Sequence, residues 1–297
     1  MRNEEDINIL TLSILGKKPR IADTILLALI YICAFFTVAL IAGIILYVAY
    51  RGIGVVNWTF LTTAPSFRNG TVGIAGNIIN TLLVVALTLL IATPVGVGSA
   101  IYLNEYAKEG RFTRIVEFTT ETLSGIPSII YGLFGFMLFG SIWGYCILTG
   151  SLTLTIMVLP LITRNTQEAL KTVPSSYRTG ALGMGATKWY MIRTVLLPSA
   201  MPGIVTGVIL AIGRIVGESA ALLFTGGSDN SLLKSISGLP GKLLSSGGTL
   251  TIALYLYMSK AEYDTAFGIA LVLIVIVLLI NFATKALTAK FDVTRRK

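Results

Sequence analysis

The sequence has no histidine, only two cysteines in 297 residues, and charged side chains at only 12% of its positions. Without histidine there is no His-based proton relay, no Ser-His-Asp hydrolytic triad and almost no route to a zinc site. Cys33 and Cys146 are isolated from one another and form no metal or redox motif, so no disulfide framework is implied. Soluble domains carry about 25% charged residues. Half that density in a chain of this length excludes both a soluble enzyme and a disordered regulator. A nucleotide-binding motif is also missing. Gly238-Leu-Pro-Gly-Lys242 lacks Walker A spacing, and Gly183-Met-Gly185 lacks the third glycine and the strand context of a dinucleotide fingerprint. If ATP drives this protein, a partner binds it.

What the chain does have is apolar length. Hydrophobic residues make up 54% of it, in runs long enough to span a bilayer. The pattern predicts an all-α polytopic membrane protein with about six transmembrane helices, at Ile21–Tyr50, Asn77–Leu103, Thr122–Cys146, Ser151–Thr163, Ser199–Phe224 and Ala266–Ala286. The first run is too long for a signal-peptide core and has no small-residue cleavage site after it, so it reads as an uncleaved anchor. The fourth run is short and contains Pro160, which leaves open a continuation past Arg164.

The net charge of +9 needs no nucleic acid. Seventeen Lys and Arg fall in the tails and loops on one side of these spans, and five (Arg51, Arg68, Lys234, Lys242 and Lys260) on the other. By the positive-inside bias, both termini are cytoplasmic. The organisation expected is a cytoplasmic tail over 1–20, an anchor helix over 21–50 and an extracytoplasmic loop over 51–76. A packed core over 77–284 follows, with a cytoplasmic loop over 171–198, and then a cytoplasmic tail over 285–297. The 225–265 loop is external and rich in Gly and Ser.

Four features carry candidate chemistry. Arg214 and Glu218 fall in the middle of the fifth predicted span, four residues apart on one helical face. A charge at that depth costs roughly 2.5–3.5 kcal/mol on insertion scales, so both must face protein or a wet cavity. They are either a structural ion pair or an anion site, because a guanidinium fork fits phosphate or sulfate oxygens. Glu218 could also accept the proton that phosphate carries and sulfate lacks. The same helix holds Gly203-x-x-x-Gly207 and Gly213-x-x-x-Gly217, spacings that permit close helix packing. Gly125 and Pro127 interrupt the third span, as a break over a cavity or a simple turn into the membrane. In the cytoplasmic loop, a short amphipathic helix over 175–189, beginning near Pro174-Ser175-Ser176, would run through Tyr177, Ala181, Leu182 and Met184, interrupted by Gly183 and Gly185, and present these with Trp189 to a protein groove.

That loop carries a resemblance. Arg178-Thr-Gly-Ala-Leu-Gly-Met-Gly-Ala-Thr-Lys-Trp189, followed by Val195-Leu-Leu-Pro198, resembles the "EAA" loop of bacterial ABC importer permeases. Ala181, Gly185 and Pro198 match that pattern, while Thr179 and Gly180 replace its Glu and first Ala. Glu121-Thr-Leu-Ser-Gly-Ile-Pro-Ser-Ile-Ile-Tyr-Gly-Leu-Phe-Gly135, Gly213-Arg-Ile-Val-Gly-Glu-Ser-Ala-Ala-Leu-Leu-Phe-Thr225 and Gly96-Val-Gly-Ser-Ala-Ile-Tyr-Leu-Asn-Glu-Tyr-Ala107 are similar to segments of the phosphate-importer permeases, A-type.

The resemblance implies a type-1 ABC importer permease fold in a prokaryotic plasma membrane. It also implies no enzymatic activity and no cofactor on this chain, with ATP and Mg on a partner. The partners implied are a C-type permease, a dimeric cytoplasmic ATPase, an extracytoplasmic phosphate-binding protein and lipid. Arg214 and Glu218 would lie on the substrate pathway, with Arg164 as a further arginine. Tyr177, Ala181, Leu182, Gly185 and Trp189 would couple to the ATPase. A molybdate or sulfate permease of the same fold and an ATPase-independent anion carrier are the alternatives.

Overall fold

The computed structural model describes residues 21–65, 72–108, 110–232 and 238–291. The polar leader over 1–20, Arg68, Lys234 and the last six residues lie outside them. The chain divides into two units, residues 1–50 and 51–297. The first is built on α1 (Ile21–Gly52), which is apolar on every face, as a membrane span is.

The second unit contains α2 (Trp58–Thr62), α3 (Ala75–Tyr106), α4 (Arg111–Ser124), α5 (Ser128–Trp143), α6 (Ile147–Lys171) and α7 (Ser175–Gly183). It continues with α8 (Lys188–Gly217), α9 (Ala220–Thr225), α10 (Leu239–Leu243), α11 (Leu250–Ser259) and α12 (Tyr263–Phe291). Among the described residues there is no strand. Five helices are long and apolar enough to cross a membrane, or six if α4 and α5 count as one bent span.

Three of the expected spans have different limits, each for a physical reason. The third is broken, with α4 and α5 meeting at 104°. Pro127 has no N–H to give and pushes Ile126 out of helical geometry, so α5 starts afresh at Ser128. The Tyr131 hydroxyl donates to the Leu123 carbonyl at 2.7 Å, supplying a partner at the break. Helix α4 extends the helical structure back to Arg111, before the expected start at Thr122, because its pattern is amphipathic and not a continuous apolar run.

The fourth span is much longer than 151–163 and does run past Arg164. The residues added are its first turn and the stretch after Thr163, where Arg164, Glu168 and Lys171 end the apolar run but not the helix. Within it the hydroxyls of Ser151, Thr153 and Thr155 all donate to the carbonyl four residues back, so their polarity is satisfied inside the helix. The fifth ends at Gly217, seven residues early, and resumes as α9.

The core forms where α3, α6, α8 and α9 meet, around Leu154, Val158, Ile162, Ile212, Ile215 and Leu222. Helices α6 and α8 run antiparallel at very close approach. A Cβ at Gly203 would lie 2.5 Å from Ala169 Cβ, and one at Gly207 would lie 2.7 Å from Asn165 Cβ. The two glycines four apart thus seat on two α6 residues four apart.

At the other end, the described residues of the external segment, 226–232 and 238–249, are held to the core. Asn77 Nδ2 donates to Asn230 Oδ1 and the Gly248 carbonyl, and Asn80 Nδ2 donates to the carbonyls of Asp229 and Gly248. Buried amides on the first turns of α3 therefore hold this segment down. Lys242 is buried there, with Nζ on the carbonyl and hydroxyl of Ser231. Burial pulls its ammonium below the usual lysine range, and the Asp229 carboxylate partly offsets this.

The two glycine pairs of α8 behave differently. Cβ atoms at Gly213 and Gly217 would meet nothing within 4 Å. Gly207→Val should lower the thermal stability of the detergent-solubilised subunit by about 1–3 kcal/mol, the range for overpacking a tight contact. Gly213→Val should leave the unfolding temperature unchanged. Equal losses would mean that both pairs are packed.

Candidate functional site

Arg214 lies in the last turn of a helix that stops short, not in the middle of a continuous one. The α6–α8 register, Gly203 against Ala169 and Gly207 against Asn165, places Arg214 level with Val158, near the midpoint of α6. Helix α8 therefore ends deep in the unit, and its terminal carbonyls leave partial negative charge there. The Arg214 guanidinium lies at that negative end.

Glu218 has left the helix, with an extended backbone at φ −80° and ψ 122°. Its carboxylate Oε1 accepts from the Ala221 N–H at 3.0 Å, inside the first turn of α9, and its carbonyl accepts from the Thr251 hydroxyl at 2.8 Å. The expected side-by-side pair on one helical face is thus not formed. Each charge instead faces the helix end of opposite sign, across a two-residue break. Among the described residues the side-chain ion pairs join Arg51 to Asp264, Arg164 to Glu168 and Arg178 to Glu105, and Arg214 belongs to none of them.

The two broken helices are neighbours. A Cβ at Gly132 of α5 would lie 2.8 Å from Ala221 Cα of α9, and Tyr131 is buried in one cluster with Ile215 and Ala221. The structure therefore gathers Arg214, Glu218 and the Gly125–Pro127 break into one region. Gly213 and Gly217 beside it are open.

Arg164 stands apart from that group. In the same register it is about 9 Å further along the axis from Arg214, toward the end that carries α7 (six residues at 1.5 Å each). It pairs with Glu168 at 3.1 Å, stays more than half exposed, and lines a polar cavity of about 120 Å³ with Glu117, Thr120, Glu121, Ser124 and Gln167.

The α7 end presents a second surface. Helix α7 starts where expected, with Pro174 in the capping position and Ser175 opening the first turn, but it stops at Gly183 instead of continuing to Trp189, which belongs to α8. Its end is set by Gly185 at φ +83°, a left-handed conformation that suits glycine. The Ala186 N–H reaches back to the Ala181 carbonyl, closing the helix in a Schellman turn. Tyr177, Leu182, Met184 and Trp189 are all exposed, Met184 by 86%. Ala181 is the exception among the expected contact residues. It is buried against Leu170, Val173, Met191 and Ile192, so it anchors α7 and faces no partner.

The sequence profile of the binding-protein-dependent transport system inner membrane component family matches residues 92–297. The chain belongs to this family. It is 37% identical over 210 residues to the probable ABC transporter permease protein YqgI of Bacillus subtilis, covering 70% of this chain and 71% of that one. It is 33% identical over 271 residues to the phosphate transport system permease protein PstA 2 of Mycobacterium tuberculosis, covering 89% and 87%.

Among solved structures, the fold matches a bacterial alginate ABC transporter with a TM-score of 0.67 and 15% identity, over 92% of this chain and 96% of that one. It matches the MetNI methionine ABC transporter with a TM-score of 0.56 and 23% identity, over 74% and 94%. These likenesses establish the type-1 ABC importer permease fold. The protein is a multi-pass membrane component of a bacterial binding-protein-dependent importer, not an enzyme, and it works with ATPase and substrate-binding partners.

The role of Glu218 in holding the break is open to measurement. Glu218→Ala removes the acceptor for the Ala221 N–H and should destabilise the solubilised subunit by about 1 kcal/mol. Glu218→Gln keeps an acceptor oxygen and should cost clearly less. Equal losses would mean that charge, not the hydrogen bond, sustains the break.

Proposed function

We propose that this chain is the A-type permease subunit of an ATP-driven importer of inorganic phosphate. It pairs with a C-type permease, receives phosphate from an extracytoplasmic binding protein, and is driven by a dimer of cytoplasmic ATPases that bind ATP and Mg. The observation that carries the reading is Arg214: a half-buried guanidinium with no carboxylate partner among the described residues, at the end of a broken helix beside an open face. The phosphate-transport relatives support the choice of anion.

A guanidinium suits this task because its planar donors meet two phosphate oxygens at once, and it stays protonated at any physiological pH. Glu218 keeps the helix broken, so the donors of Arg214 are not taken up by a neighbouring carboxylate. Arg164, about one and a half turns further along, offers a second cation on the way to the α7 end. The charge bias of the loops makes that end cytoplasmic, and with it both termini. The asparagine-pinned 226–249 segment then faces outward, where the binding protein delivers its cargo. The two permeases alternate between outward and inward access, and the α7 surface receives the motion of the ATPase.

Arg214→Gln should abolish phosphate uptake into vesicles reconstituted with the full complex, while membrane insertion and assembly persist. Competition by arsenate but not sulfate in the unaltered complex would identify the anion. Normal uptake by well-assembled Arg214→Gln would refute the site.

The docking surface has its own test. Tyr177→Asp puts a charge in an exposed apolar patch, and Gly185→Pro cannot adopt φ +83°. Both should reduce recovery of the ATPase in pull-downs at least severalfold. Full recovery with undiminished phosphate-stimulated ATP turnover would place docking elsewhere.

A further inference from the structure

Beneath the α7 surface the ends of four helices converge on one carboxylate. Glu105 lies in a π-helical turn, Tyr102–Tyr106, that ends α3, and its side chain is only 6% exposed. Its Oε1 accepts from Arg178 Nε at 3.1 Å and from Asn104 Nδ2 at 2.7 Å, and lies 3.0 Å from Arg178 Nη2 in an ion pair. Arg178 belongs to α7. Its guanidinium also donates to the carbonyls of Leu170 and Val173 at 2.9 Å each, at the end of α6, where a cation meets the negative helix terminus. Lys188, the first residue of α8, donates through Nζ to the Glu105 carbonyl and stands 4.8 Å from the Tyr106 ring centroid. One buried acid thus ties α3, α6, α7 and α8 together.

We infer that Arg178 and Glu105 are positioning residues for transport, the linkage through which displacement of α7 reaches the broken-helix site. The inference rests on the reading of α7 as the ATPase-docking helix. Arg178 itself lies below the exposed Tyr177, Leu182 and Met184 and is largely covered, so it is placed to transmit and not to dock. The path beyond it is rigid at each step. Gly96 of α3 lies against Ile162 of α6, Gly203 and Gly207 of α8 lie against Ala169 and Asn165, and α8 ends at Arg214. A guanidinium fork of three hydrogen bonds, with the ion pair to Glu105, resists both translation and rotation, which one Lys contact would not. Breaking either partner leaves the other charge buried and unpaired.

A simple staple and a linkage differ in one observable, the ATP hydrolysed per phosphate transported by the reconstituted complex. Glu105→Gln and Arg178→Gln should each raise that ratio about threefold or more, and the double variant should be no worse than either single, as for residues acting through one contact. Recovery of the ATPase in pull-downs should stay high, because the exposed surface of α7 is unchanged. A wild-type ratio in both single variants, with only a lower yield of complex, would overturn the inference. Should Glu105→Gln fail to assemble, Lys188→Met removes one tie and carries the same measurement, with the same two outcomes. The docking reading is judged separately by the Tyr177→Asp pull-down, so the two can fail independently.

Discussion

A chain in a bilayer has no water with which to satisfy a broken backbone, and the rest of this structure depends on how it meets that constraint. Three interruptions among the described residues come with their own partners. The turn over Gly125–Pro127 receives the Tyr131 hydroxyl, and the extended residue Glu218 receives the Thr251 hydroxyl and lends its carboxylate to α9. The non-helical stretch after α9 is held by two buried asparagines of α3. Irregular backbone persists only where neighbouring helices provide for it, and two of these three places adjoin Arg214.

The glycines of α6 and α8's interface fix how the remaining parts are stacked. Because Gly203 and Gly207 seat on Ala169 and Asn165, the depth of Arg214 follows from the depth of α6. The Schellman turn at Gly185 does the same for the other end, setting the angle at which α7 leaves for α8. Between them lies a continuous packed column, Ile192, Leu196, Ala200 and Ile204, on the inward face of α8.

Much of this could be read from the residues. Apolar run length indicates the class and about six spans, and Pro174-Ser175-Ser176 marks the start of α7. What could not be read was where a helix stops. The apolar run of α6 ends at Thr163, but the helix carries Arg164, Glu168 and Lys171 on to its last turn. Arg214 and Glu218 look like one helical face because spacing assumes an unbroken helix. The Glu105–Arg178 pair has no local signal: its members are 73 residues apart, and each is one charge among several in the cytoplasmic segments.

The unpaired guanidinium of Arg214 also bears on the life of the subunit before assembly. Two open glycines flank it, so in an orphan copy that face of α8 borders hydrocarbon and a charge must be accommodated there at roughly 2.5–3.5 kcal/mol. That penalty is independent of how much area an interface later buries, and it disappears only when another protein surface or a wet passage covers the arginine. The feature that suits the chain to handling an anion therefore also makes the solitary subunit the least comfortable form in the membrane, and biases newly inserted copies toward the complex.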